Sequence, residues 1–84
     1  MPDDFEIRIP EYLEAGVYAN SITVWHTRAE FTLDFLARPV DQAEPDVALA
    51  VSRVRVPTIF MFDLMRRLSA DLTDYEREYG EIPT

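Results

Sequence analysis

The chain has no cysteine, no lysine, one histidine and two glycines among its 84 residues. Without cysteine there can be no disulfide and no thiolate metal site. A single histidine, His26, cannot build a histidine-based metal cluster within one chain. The glycines, Gly16 and Gly80, stand too far apart to form a phosphate-cradling loop. No apolar run approaches the roughly 20 residues of a membrane span. The opening MPDDFEIRIP lacks the basic-then-apolar layout of a secretory leader, so a cytoplasmic protein is expected. All eight bases are arginine, set against 16 acids for a net charge of −8. That charge repels a phosphate backbone, so neither nucleic acid nor an anionic membrane is an expected partner.

What is present is a folding composition: 48% hydrophobic and 12% aromatic residues. One domain spanning 1–84 is expected. A chain of this size buries only about 60–65% of its unfolded surface. With no disulfide or metal to staple it, the stabilising partner is expected to be a second copy of the chain, as a homodimer or tetramer.

Hydrophobic periodicity divides the chain into four strands and a helix. Residues 5–9 alternate Phe-Glu-Ile-Arg-Ile, the pattern of a half-buried strand, and Pro10 ends the run. A second strand is expected over 17–26, with Tyr18, Ile22, Val24 and His26 on one face and Val17, Ala19, Ser21, Thr23 and Trp25 on the other. Apolar groups on both faces imply cover on both sides. The third strand, 31–38, places Phe31, Leu33, Phe35 and Ala37 toward a core. The turn between these two strands, Thr27-Arg28-Ala29-Glu30, has the S/T-x-x-E spacing of a local cap, so His26, Thr27 and Glu30 are expected to order it. Residues 40–46, acidic and interrupted by Pro45, read as a flexible loop. A fourth strand over 47–56 changes its apolar face near Ser52, which implies a bulge there.

From residue 58 to 79 the apolar positions Met61, Met65, Leu68, Leu72, Tyr75 and Tyr79 recur at alternating spacings of four and three. This is the a/d stripe of an amphipathic helix. Gly80 follows as the stop, with Pro83 beyond it. Ile59, Phe60, Phe62 and Leu64 widen the apolar surface at the helix start. Methionine and phenylalanine there suit a plain core, an adaptable groove or a homodimer interface. Val17, Ala19, Trp25, Phe60, Met61, Met65, Leu68, Leu72 and Tyr75 are the expected interaction or oligomer surface.

Candidate chemistry is sparse. His26 could serve as a general base beside Glu30 or Asp34, with Ser21 as a nucleophile in a small hydrolase. The competing reading is that its imidazole anchors the turn it flanks. No catalytic, cofactor-binding or metal-ligating residue is assigned. Asn20, polar within a strand of small and apolar residues, is expected to satisfy a neighbouring turn or bulge. Arg53 and Arg55 share a strand face and either bind an anionic peptide or pair with acids such as Asp34.

The segments EAGVYANSITVWHTRAEFTLDFL, SRVRVP and LTDYEREYGEI resemble the uncharacterised bacterial family known as domain of unknown function 3467. The resemblance rests on Glu14 to Asn20, His26 to Phe31, Arg53 to Val56 and Tyr75 to Ile82. One departure is the order Pro57-Thr58 where the family pattern has Thr-Pro, which displaces Thr58 from the helix cap. The resemblance implies no activity. At the level of topology, a ββββα order is also similar to the SecB export chaperone.

Together these readings lead us to expect an α+β domain, a meander-like four-stranded antiparallel sheet followed by one long C-terminal helix. Its expected role is that of a self-associating, non-enzymatic interaction module needing no cofactor. The alternative is a SecB-like protein holding another protein or an extended peptide.

Overall fold

The computed structural model describes residues 5–39 and 47–84. The fold is α+β: a meander of three antiparallel strands in the order β1-β2-β3, followed by a C-terminal helix. The strands are β1 (Ser21–His26), β2 (Glu30–Ala37) and β3 (Leu49–Pro57), and the helix is α1 (Met61–Tyr79). The segment expected as a flexible loop, 40–46, lies outside the described residues.

The sheet has three strands where the sequence pattern implied four. Residues 5–9 pair with no strand among the described residues. Within that segment Arg8 Nε donates to Glu6 Oε2 at 2.7 Å across the intervening residue. An extended segment becomes a strand only when a neighbour takes its backbone groups, and none does so among the described residues. The ββββα order that suggested SecB is therefore absent from the described fold.

The strand expected over 17–26 begins four residues later, at Ser21. Its ladder with β2 runs from His26↔Phe31 to Ser21↔Leu36. Beyond that the Asn20 backbone N–H still reaches the Leu36 carbonyl at 2.9 Å. The Asn20 side chain then replaces the ladder. Its Nδ2 donates to the Arg38 carbonyl at 2.9 Å, and its Oδ1 accepts from the Arg38 N–H at 2.8 Å. Pro39, next along, has no N–H to offer, so the pairing stops.

A register shift between Phe35 and Leu36 pairs them with Ser52 and Ala50, leaving Val51 as the extra residue of a bulge. This explains the switch of apolar face in the sequence. The bulge brings Leu49 onto the same side as Val54 and Val56. One sheet face thus carries Ile22, Val24, Phe31, Leu33, Phe35, Leu49, Val54 and Val56, and the other carries Thr23, Trp25, Thr32, Asp34, Arg53 and Arg55.

The helical segment opens as a 3-10 turn, Thr58–Phe60, before α1 begins at Met61. Thr58 caps neither element. Its hydroxyl donates to the Arg28 carbonyl at 3.0 Å and its N–H to the Ala29 carbonyl at 3.1 Å, so both bonds tie the helix start to the β1–β2 turn. At the far end Gly80 adopts φ 89°, and its N–H closes on the Glu76 carbonyl at 2.8 Å, the left-handed stop that glycine makes cheap.

Almost nothing is enclosed. Leu33 and Val56 are the only buried apolar residues among those described. Apart from its own opening turn, α1 packs closely on no strand. The Cα radius of gyration is 15.9 Å, against about 12 Å for a compact chain of this length.

Candidate functional site

Two surfaces carry what chemistry the molecule has. The first is the polar face of the sheet, where three strands converge on Asp34. Thr32 and Asp34 on β2 are the most buried polar residues described, at 2% and 7% exposure. Asp34 lies in direct register with Arg53 on β3. The guanidinium binds its carboxylate as a fork, Nε to Oδ1 at 2.6 Å and Nη2 to Oδ2 at 3.0 Å. Trp25 on β1 lies alongside, its ring centroid 6.0 Å from Arg53 Cζ. The carboxyl of Asp34 is held below its ordinary value, first by the Arg53 hydrogen bonds. Burial pushes the other way, and the Arg53 charge and the Trp25 indole add to the lowering.

One step toward the turn, Arg55 Nε donates to Glu30 Oε1 at 2.8 Å. Trp25, Thr27, Glu30, Thr32, Arg53 and Arg55 line an open depression of about 250 Å³ here. Both guanidiniums are already matched to carboxylates, so the depression holds no uncompensated charge to attract an anion.

The turn itself is ordered from within. The Thr27 N–H donates to the Glu30 carbonyl at 2.9 Å, and Thr27 Oγ1 accepts from the Ala29 N–H at 3.3 Å. The Glu30 side chain turns to Arg55 and takes no part in capping. His26 stacks on Phe31, centroids 5.2 Å apart and planes at 30°. That contact lies on the apolar face. Ser21, Glu30 and Asp34 belong to the opposite face, so the sheet does not assemble them with His26.

The second surface is apolar and continuous with no core. Along α1 the stripe residues Met65, Leu68, Leu72 and Tyr75 are exposed by 60, 64, 47 and 45%. Met61 is half-buried and Phe60 borders on it at 38%. On the sheet, Ile22, Val24, Leu49 and Val54 stand open beside Leu33 and Val56. Of the residues expected on an interaction surface, Val17 is exposed, Ala19 is half-buried, and both precede β1. Trp25 departs from the group: β1 directs it to the polar face.

The model of the family described as "Protein of unknown function (DUF3467)" matches residues 1–84. The chain belongs to that family. No curated protein and no solved structure is similar to it. No helix described is long and apolar enough to cross a membrane.

Proposed function

We propose that this DUF3467 chain is a non-enzymatic protein-interaction module whose first partner is a second copy of itself. The observation that carries this reading is the missing interior. A folded monomer of 9.8 kDa exposes about 5,200 Å². This protomer exposes 7906 Å², an excess of about 2,700 Å². Obligate interfaces bury roughly 2,000–5,000 Å² in total, or about 1,000–2,500 Å² from each partner. The excess is slightly above the upper end of what one such interface removes from each partner, so it leaves ample surface for a large one. It is also of the right chemistry, since open aliphatic and aromatic side chains on α1 and on one sheet face contribute to it.

The arrangement of polar groups supports a role without catalysis. The acids nearest the turn are engaged by Arg53 and Arg55, and His26 stands on the other face from them. The thermal midpoint of a self-associating fold rises with protein concentration. Far-ultraviolet melts over a hundredfold range of concentration test this, and a midpoint that does not move overturns the reading.

A polypeptide holdase is the second reading. It draws support from Ile59 and Phe62, exposed by 88 and 85% and lying off the stripe that a partner would cover. Aggregation of an unrelated unfolding protein would then be suppressed at stoichiometric amounts. No effect in molar excess excludes it.

A further inference from the structure

We propose that α1 of each protomer lies across the apolar sheet face of its partner, in reciprocal exchange, and does not pair with the partner's α1. The inference rests on the self-association proposed above and specifies how it is built.

Three observations lead there. First, Thr58 fixes the helix start to the β1–β2 turn through two bonds, to the Arg28 and Ala29 carbonyls. From that anchor α1 extends without packing closely on its own sheet, whose apolar face is open at Ile22, Val24, Leu49 and Val54. Helix stripe and sheet face are therefore both open in the same protomer, and a two-fold copy can satisfy both at once.

Second, the dimensions match. A helix of 19 residues is about 28 Å long. Strands of 8 and 9 residues run about 26–30 Å. One helix laid along the strands covers the length of the face.

Third, charge discriminates between the two ways of burying the stripe. Asp71, Glu76 and Glu78 border it and have no basic partner among the described residues. With Leu68 at a d position, parallel pairing sets Asp71 against the partner's Glu76, and antiparallel pairing sets the Asp71 and Glu78 borders against each other. Either juxtaposition is repulsive. Among the described residues the apolar sheet face offers no acid to oppose them, since Asp34, Arg53 and Arg55 all lie on the other face. A helix on the apolar sheet face meets no opposing acid; a helix on a helix brings acid to acid.

The absence of cysteine makes the test clean. Leu68→Cys and Val24→Cys each introduce one thiol, the first on the stripe and the second on the sheet face. The two variants, of distinguishable mass, are co-refolded from urea and treated with a short bismaleimide. The expected product is the mixed dimer, with each variant alone left unlinked. Linkage of Leu68→Cys to itself overturns the inference in favour of helix pairing. An intramolecular link in the doubly substituted chain overturns it in favour of the chain's own sheet. Leu72→Cys with Ile22→Cys provides an independent pair should the first disturb folding, and failure of both pairs to link in a sample that light scattering finds dimeric also overturns it. A folded monomer by light scattering is the separate outcome that removes the self-association reading itself.

Discussion

Asp34 and Arg53 face each other in direct register across β2 and β3, joined by two N–H···O bonds of 2.6 and 3.0 Å. The arginine side chain is mostly open to solvent, while the aspartate is largely covered. The pair is therefore asymmetric. Removing the arginine strands a covered carboxylate, whereas neutralising the aspartate leaves a solvated guanidinium. Arg53→Ala is expected to lower the denaturation midpoint more than Asp34→Asn, with Arg53→Lys between them because lysine cannot form the fork. The fluorescence of Trp25, the sole tryptophan and next to the pair, reports the unfolding.

The same pair sets a pH dependence. The folded carboxyl of Asp34 lies below its unfolded value, so its contribution is complete above the ordinary aspartate pKa of about 3.9. It is lost as pH falls through the lower folded value. Asp63, lowered by its hydrogen bonds from Arg66 and then Arg67, adds to the same acid slope from the helix. Urea midpoints measured downward from pH 5 should fall for the native chain, and Asp34→Asn should flatten part of that fall.

Asn20 continues the β1–β2 ladder with its side chain, meeting both backbone groups of Arg38. Asn20→Ala is expected to cost about 1 kcal/mol, since the two bonds are exposed and each contributes at the lower end of the usual range. Asn20→Asp keeps the acceptor and loses the donor. Amide exchange at Arg38 should therefore accelerate strongly in the alanine variant and only slightly in the aspartate one.

Thr58→Val removes the hydroxyl bond to Arg28 while keeping the side-chain shape. The expected loss is about 0.5–1.5 kcal/mol. Exchange should quicken in both the turn and the first turn of α1, because the bond couples them.

How far the sequence reveals this molecule depends on whether a feature is local. The helix stripe and its stop at Gly80 are written in neighbouring residues, and the structure follows them. The Val51 bulge was legible as a change of apolar face within one strand. By contrast, period-two alternation in Phe5–Ile9 reports an extended segment but cannot say whether a neighbour exists to pair with it. Strand parity puts Trp25 on one face with Val17 and Ala19, which read as apolar; β1 begins only at Ser21, and the neighbours of Trp25 on that face are Thr23, Thr32 and Asp34. The role of Thr58 was hidden because its partners lie in a turn some thirty residues earlier. Its position one residue late for capping was the only local trace.

If the stripe on α1 is buried between copies, its residues should act on association and the opposite face should not. Leu68→Ala is expected to weaken association by about 2–3 kcal/mol, on the order of 30- to 150-fold. Ala70→Glu, on the far side of the helix, should leave it unchanged. Dilution followed by sedimentation velocity checks both.

On the proposed reading this chain completes its core only with a partner. Size-exclusion chromatography with light scattering tests it most directly. The expected result is a folded species whose mass is a whole multiple, two or more, of the 9.8 kDa chain. A stable, cooperatively folded monomer would contradict it.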